Sequence, residues 1–309
     1  MNGEGKLSVR KFINASNMSI PAMYHLVLER ITRRELQRVP EQDLVMENPF
    51  RNEAFAEVGS ENGLLSFLYF YHALQITPVI KTGDRVLDIA CGPANQLALI
   101  ARLNPEAHFV GLDASANMLE QAAITLAQAR VGNAELVFGD MSVLSGIADA
   151  SMDCVICTMS LHHLPDLTAL SKTLRAVRRV LKSDGGFYFV DFGRLKRLGT
   201  LRFFAENKRH LQSKFFTQDY LNSMRAAFSV NELADAVALM GLNYEKYVTS
   251  MASFMVVFKS KNRRVLDDTT RELLQEMYGQ LPLAQRQSFQ SFANWFRTGG
   301  FNLPCELLY

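Results

Sequence analysis

The sequence predicts an α/β fold, a doubly wound and mostly parallel seven-stranded sheet with helices on both faces. Three observations support this prediction. Short β-branched and aromatic runs alternate with segments of helical periodicity between residues 81 and 260. Turn and capping signals separate the runs from the helices. The last two runs follow each other without a helix between them, which is typical of an antiparallel pair at a sheet edge.

The individual elements follow from composition and spacing. Strands are predicted at 85–90, 108–113, 135–138, 154–157, 186–191, 244–248 and 254–258. Helices are predicted at 94–103, 115–126, 167–181 and 229–240. The first helix ends before Pro105, because the residue that precedes a proline disfavours helix. The last one begins with the capping-box pair Ser229 and Glu232 and ends at Gly241.

Helical additions flank and interrupt the central unit at 81–260. We predict an N-terminal cap over 1–80, an insertion over 194–228 after the fifth strand, and a C-terminal extension over 261–309. Additions at these places can enclose a pocket, which favours a small-molecule substrate.

Composition restricts the class of protein. The 309 residues carry 33 Lys and Arg against 31 Asp and Glu, and no nucleic-acid module is recognisable, so nucleic acid is an unlikely partner. The apolar stretch at 64–74 is shorter than the ~20 residues of a membrane span, and the start lacks a signal peptide. Four scattered cysteines fit a reducing compartment, so we expect a cytoplasmic protein. A homodimer is left open.

Carboxylates lie near the ends of three consecutive predicted strands, at Asp88, Asp113 and Asp140. Ligands of open parallel sheets bind outside these ends. After Asp88 the chain enters a small-residue turn at 90–92, where backbone N–H groups can approach an anionic group. Asp113 can accept both ribose hydroxyls and Asp140 an adenine amino group. One such Asp is equally well a helix cap, but three together favour a nucleoside site.

These runs resemble the class I S-adenosylmethionine-dependent methyltransferase superfamily. The matching segments are VLDIACG at 86–92, VGLDAS at 110–115, GDM at 139–141, MDCVI at 152–156 and LHHL at 161–164. The resemblance covers 81–193 well and 228–258 in outline. It implies a Rossmann-like fold, methyltransferase activity and S-adenosylmethionine as the cofactor.

The resemblance also implies which residues bind the cofactor. Asp88 and Gly92 are expected at its methionine part, Asp113 at the ribose, and Met118 against the adenine. The full predicted set is Asp88, Ala90, Cys91, Gly92, Asp113, Ala114, Met118, Asp140, Met141 and Thr158. Ala90 and Ala94 depart from the family, which favours glycine at both positions, so the approach of the backbone to the methionine tail is expected to differ.

Three residues are candidates for catalysis. Methyl transfer is an in-line displacement that needs a base only when the acceptor atom carries a proton. His162 and His163 follow the fourth strand, and a histidine suits proton removal, although strand-to-helix packing with Asp166 as the next cap is the competing explanation. Asp191 ends the fifth strand on the acceptor side.

Tyr24, Phe192 and Arg194 are the predicted substrate-binding residues. Phe192 can offer its ring to the sulfonium charge, and Tyr24 lies on a helix that can close over the cofactor. Arg194 begins a segment, 194–214, with seven Lys or Arg residues and one acid. That segment is either a lid for an acidic or carrier-tethered substrate or a solvated helix face.

No metal site is predicted. Cys154 and Cys157 have CxxC spacing, but strand residues three apart point to opposite faces and cannot share one ion. Cys157 is then either a buried core thiol or a pocket residue for thiol-binding substrates.

The sequence leads to one functional hypothesis and two alternatives. The hypothesis is methyl transfer from S-adenosylmethionine to a metabolite or natural product, with the acceptor atom left open. One alternative is an enzyme that consumes the aminobutyrate arm of the cofactor and releases methylthioadenosine. The other is a non-catalytic, cofactor-binding partner subunit.

Overall fold

The computed structural model describes residues 19–41, 63–207 and 212–307. Seven strands form one sheet of order β3-β2-β1-β4-β5-β7-β6. They are β1 Arg85–Ile89, β2 His108–Asp113, β3 Ala134–Phe138, β4 Met152–Thr158, β5 Leu181–Phe192, β6 Glu245–Val248 and β7 Met255–Lys259. Strands β1 to β5 pair in parallel, and β7 runs antiparallel to both β5 and β6. The predicted fold class is confirmed, with the topological switch point between β1 and β4.

Helices cover both faces of this sheet. In the described residues they are α1 Ile20–Ile31, α2 Ser66–Ile76, α3 Asn95–Leu103, α4 Ala116–Gln128, α5 Leu167–Val180, α6 Leu198–Glu206, α7 Lys214–Ala226, α8 Val230–Ala238, α9 Asp268–Gln280 and α10 Leu283–Arg297. The predicted capping box of α8 is present, since the Ser229 hydroxyl accepts from the Glu232 N–H and the Glu232 carboxylate accepts from the Ser229 N–H. None of the described helices has the length and apolar character needed to cross a membrane.

The strand alternation sorts buried side chains into two core layers. One layer contains Val86 and Ile156 and packs under α2, α3, α9 and α10. The other contains Leu87 and Val155 and packs under α5 and α8. Cys154 belongs to the first layer and Cys157 to the second, so the structure confirms that the two thiols face away from each other.

The additions pack around one end of the sheet. Helix α1 packs on α6 of the insertion, and α2 packs against α3 and the C-terminal α10. Parts of the predicted N-terminal cap (1–18 and 42–62) and of the insertion (208–211) lie outside the described residues.

The fifth strand is longer than predicted. It begins at Leu181 rather than at 186, because Leu181 pairs with Met152 before an irregularity in the β4–β5 ladder. The sequence at 182–185 reads as a turn, and only the tertiary pairing extends it.

Candidate active site

A cavity of about 730 Å³ opens at the carboxyl ends of the parallel strands, the position that the fold predicts for a ligand. Its walls come from the central sheet unit and from the helical additions. The loops after β1, β2 and β3 form one side, and the turn after β4, the end of β5 and α2, α6, α7 and α10 of the additions form the other. We call these the cofactor side and the acceptor side.

On the cofactor side, β1 leads into a turn of alternating left-handed residues. Ala90, Gly92 and Ala94 have φ of 57°, 55° and 60°. A left-handed conformation costs an alanine about 1 kcal/mol relative to glycine. Ala90 and Ala94, which stand where the family favours glycine, therefore keep the left-handed backbone conformation that glycine adopts easily, and both are locally strained.

Asp113 joins the first two loops of the cofactor side. One carboxylate oxygen accepts the Gly92 N–H at 2.8 Å and the other accepts the Ser115 N–H at 2.9 Å. Burial raises the pKa of Asp113, and these two backbone hydrogen bonds oppose the increase. Asp113 lines the cavity, and a carboxylate oxygen that accepts one hydrogen bond can accept another, so Asp113 can still accept two ribose hydroxyls.

Three residues on this side have buried polar side-chain atoms without partners among the described residues. These atoms are both carboxylate oxygens of Asp88, the amide nitrogen of Asn95 and the amide oxygen of Gln96. Burial, followed by the charge of Asp113, raises the pKa of Asp88 well above its usual range. Asn95 begins α3, whose cap Ala94 supplies no side-chain hydrogen bond. A carboxylate suits the orphaned Asn95 donor at this helix N-terminus.

The far end of the cofactor side is apolar with an acceptor at its edge. Met118 and Met141 line it, and Asp140 accepts the Ser142 N–H at 2.7 Å and the Ser142 hydroxyl at 2.9 Å. A flat base with an exocyclic amino group fits this arrangement. The residues present therefore fit S-adenosylmethionine, with its carboxylate, ribose and adenine groups.

Nine of the ten predicted cofactor residues line the cavity. They are Ala90, Cys91, Gly92, Asp113, Ala114, Met118, Asp140, Met141 and Thr158. The tenth, Asp88, is 1% exposed and lies outside this lining. Asn95 and Gln96 line it too, and sequence reasoning missed both because a polar residue in the first turn of a helix carries no distinct signal.

On the acceptor side, a short turn at Leu161–His163 carries both histidines. The Nδ1 atom of His162 lies 2.6 Å from Asp191, which also accepts the His162 backbone N–H at 2.9 Å. Asp191 is 2% exposed and lies outside the cavity lining. The structure thus brings Asp191 to His162 rather than to a ligand, which makes it a positioning residue.

His163 pairs with a carboxylate that the sequence did not reveal. Its Nδ1 atom lies 2.9 Å from Glu41, whose other oxygen accepts the Ser223 hydroxyl at 2.7 Å. Burial by itself lowers the pKa of His163, but the hydrogen bond and charge of Glu41 outweigh it, so the pKa is raised. Burial raises the pKa of Glu41, but His163 outweighs it and lowers that pKa to about 2.

Arg38 fixes the segment that carries Glu41. Its guanidinium donates to the carbonyl oxygens of His162, Leu164, Pro165 and Ala226. It also lies 3.9 Å from the ring centroid of Phe228. Sequence reasoning could not find Arg38 or Glu41, because both lie in an irregular segment and meet their partners only through the tertiary fold.

The potential ligand atoms of Glu41, His162 and His163 lie within 4.8 Å of one another. A tetrahedral zinc site, with bonds of ~2.0–2.1 Å, needs its ligand atoms roughly 3.4 Å apart. Metal binding here therefore requires the three groups to move closer together. In the structure, the Nδ1 atoms of both histidines face carboxylates.

Of the predicted substrate-binding residues, only Phe192 lines the cavity, with its ring centroid 5.2 Å from that of His162. Tyr24 is 61% exposed on the outer face of α1. Arg194 pairs with Glu232 and donates to the Ala227 carbonyl at 3.1 Å. The structure brings neither Tyr24 nor Arg194 to the cavity, because one faces solvent and the other anchors the start of α8.

The insertion does reach the cavity, but not through its basic residues. It contributes Phe204, Asn207, Gln212, Phe216, Asp219, Tyr220 and Ser223 to the lining. Among the described basic residues of 194–214, Arg202 and Lys214 are exposed and none lines the cavity. Lys208 and Arg209 lie outside the described residues. This placement favours the solvated-face interpretation of the segment.

Cys157 is fully buried and does not line the cavity. Burial, followed by the charges of Asp191 and Asp88, raises its pKa well above that of a free thiol. It is therefore a core thiol, and all four cysteines are unpaired.

Comparisons with known proteins agree with this geometry. A family profile described as a methyltransferase domain matches residues 80–245, more than half of the chain. The demethylmenaquinone methyltransferase of Listeria welshimeri is 29% identical over 180 residues, which are 55% of this chain and 75% of that protein. The Listeria monocytogenes enzyme of the same name is equally similar, over 74% of its length. A SAM-dependent methyltransferase structure from Aquifex aeolicus, 14% identical, superposes with a TM-score of 0.50 over 69% of this chain and 97% of its own.

Proposed function

The chain belongs to the methyltransferase-domain family and is an S-adenosylmethionine-dependent methyltransferase, and from that premise we propose that it methylates a small-molecule acceptor. The observation that supports this best is one continuous cavity with the cofactor residues on one side and the His163–Glu41 pair on the other. The Listeria relatives are named for a small-molecule substrate, demethylmenaquinone, which supports the same class of acceptor.

Residues of the chain divide the work between the two sides. When bound, the cofactor supplies an electrophilic methyl group on a sulfonium. Asp113 and Asp140 hold its nucleoside part, and Asn95 and the start of α3 hold its carboxylate. The acceptor side holds the nucleophilic atom in line with the methyl group and excludes water, which are the main contributions a protein makes to such a displacement.

His163 is the base of the proposed reaction. Its Nδ1–H is donated to Glu41, which leaves Nε2 as the nitrogen that faces an acceptor. With the cofactor bound, Nε2 would take the proton of the acceptor as the methyl carbon passes from the sulfonium sulfur to the acceptor atom, S-adenosylhomocysteine would be the leaving group, and Glu41 would stabilise the resulting imidazolium. His162 is held by Asp191 beneath this pair, with its ring centroid 4.3 Å from that of His163, and positions it.

The test is turnover with a panel of hydroxylated and aminated small molecules, with products identified by mass spectrometry. We expect S-adenosylhomocysteine together with a methylated acceptor. The variant His163→Gln should lower kcat about 100-fold or more, with little change in KM for the cofactor. His108→Gln, at an exposed histidine far from the cavity lining, is the matched control and should be unaffected.

Two outcomes contradict the proposal. Release of methylthioadenosine instead of S-adenosylhomocysteine supports use of the aminobutyrate arm. Tight binding of the cofactor without turnover of any acceptor in the panel supports a non-catalytic partner subunit.

A further inference from the structure

Aromatic side chains line the acceptor side beyond His163. We call this set the aromatic arm, and it consists of Phe67, Phe192, Phe204, Phe216, Tyr220, Phe254 and Phe292. It is built from α2, the end of β5, α6, α7, the residue before β7, and α10.

The rings of the aromatic arm pack against one another in pairs. The ring centroids of Phe192 and Tyr220 are 5.5 Å apart, and those of Phe204 and Phe254 are 4.9 Å apart. The opposite wall holds Phe67, with its ring centroid 5.9 Å from that of Phe292. These spacings are those of interacting aromatic pairs, so the arm presents ring faces and edges to a ligand.

The charge of the lining is one-sided. Four carboxylates line the cavity, Glu41, Asp113, Asp140 and Asp219, whereas none of its described lining residues is Lys or Arg. The guanidinium of Arg38 donates to backbone carbonyls. The guanidinium of Arg194 pairs with Glu232. Neither is directed at the cavity.

Among the residues that the structure describes, this arm offers an anionic group on the acceptor no lysine or arginine as a counter-ion. Such a group would lose its hydration among aromatic rings and meet carboxylates of the same sign. The base adds a second constraint, because a His163–Glu41 pair is needed only for a nucleophile that carries a proton. A hydroxyl group on an apolar ring body satisfies both constraints.

We propose that the acceptor is a hydroxylated compound with an apolar ring body and no anionic group, seated in the aromatic arm with its hydroxyl at His163. This inference rests on the proposed function and adds the substrate class. It excludes carboxylated, phosphorylated and carrier-tethered acceptors.

The experiment uses three probes of the same shape: 4-cyclohexylphenol, its analogue with a carboxylate at the far end of the cyclohexyl ring, and the analogue with an amine there. Their Kd values are measured by titration calorimetry with S-adenosylhomocysteine present, so that no methyl transfer is needed. Trp295 is the single tryptophan of the chain, and its ring centroid is 5.1 Å from Phe254 and 6.2 Å from Phe204. Its emission therefore reports occupation of the arm.

We expect 4-cyclohexylphenol to bind at least about tenfold more tightly than the carboxylate analogue and to change the Trp295 emission, whereas the amine analogue should not show this loss. A positive charge in the arm should change this preference. Gln212 lines the cavity, and its amide nitrogen donates to the Ala205 carbonyl and to the Thr217 hydroxyl, both at 2.9 Å. A lysine at this position places an ammonium group at the cavity wall. Gln212→Lys should improve binding of the carboxylate several-fold, and Gln212→Met, of similar length without charge, should not.

The inference is overturned if the carboxylate analogue binds as tightly as 4-cyclohexylphenol, if none of the three probes binds, or if binding leaves Trp295 emission unchanged. The proposed function fails differently. A retained preference for the neutral probe without methylation of any hydroxyl compound contradicts the methyl transfer, and methylation of carboxylated acceptors contradicts only the substrate class.

Discussion

The two sides of the cavity are built by different routes. The cofactor side comes from one stretch of chain, residues 88–141, in which three successive strands end at the same sheet edge. The acceptor side is assembled from Glu41, the turn at Leu161–His163, α7 and α10, which meet only in the folded molecule. A short motif can specify the first arrangement, whereas the second depends on how the additions dock.

The carboxylates of the two sides differ in the same way. Burial raises the pKa of Asp113, whose hydrogen bonds come from neutral backbone groups. The pKa of Glu41 is lowered to about 2, because burial is outweighed by the hydrogen bond and charge of His163. On the acceptor side, the charge partner of Glu41 is His163, a residue of the chain itself. On the cofactor side, a charge partner for Asp113 has to come from the ligand.

Removing the carboxylate of Asp113 should have the largest effect. Asp113→Ala loses the bonds to Gly92 and Ser115 and two acceptors for the ribose, so we expect the Kd for S-adenosylhomocysteine to rise about 100-fold or more. Titration calorimetry measures it. The exposed Asp149 supplies the control, Asp149→Ala. An unchanged Kd would mean that the cofactor side does not bind through this residue.

Neutralising Glu41 should affect the acceptor side alone. In Glu41→Gln the imidazolium of His163 loses its partner, so the pKa of His163 falls and the acid limb of the pH–rate profile moves to lower pH. The plateau kcat should fall about tenfold, with cofactor affinity retained. Glu35→Gln, at an exposed acid of the same segment, is the control. A profile whose acid limb stays in place would remove His163 from the role of base.

Arg38 should affect the acceptor side through position rather than charge. Arg38→Met loses the guanidinium bonds to four carbonyls and should lower the free energy of unfolding by about 2 kcal/mol. The acid limb should move in the same direction as in Glu41→Gln, because Glu41 is no longer held at His163. Urea denaturation and the pH profile measure the two effects, with Arg34→Met as the exposed control. Lost stability with an unmoved limb would show that Arg38 does not position Glu41.

The smallest effect belongs to the strained turn of the cofactor side. Ala90→Gly relieves a left-handed alanine and should raise the free energy of unfolding by about 1 kcal/mol. Ala98→Gly, inside α3, should lower it by a similar amount. Urea denaturation distinguishes the two, and a loss of stability in both variants would mean that the turn is not strained.

The fold and most residues of the cofactor side could be predicted from the sequence, but only some residues of the acceptor side could. The mostly parallel sheet with its late antiparallel edge pair, the capping box of Ser229 and Glu232 and the loop after β1 follow from periodicity and local signals. Glu41 could not be predicted, since its partners His163 and Ser223 are remote in sequence. Arg194 is the opposite case. The sequence predicts that it binds the substrate, but it pairs with Glu232, and nothing in a run of basic residues indicates such a partner.

The docking of the Arg38–Glu41 segment has a spectroscopic consequence. Glu41 changes the proton affinity of a single imidazole, so the ring ¹⁵N resonances of His163 differ between docked and undocked forms. Because that ring belongs to the turn after β4 and its partner to the end of the first described range, 19–41, one pair of NMR signals follows how these remote parts come together in solution.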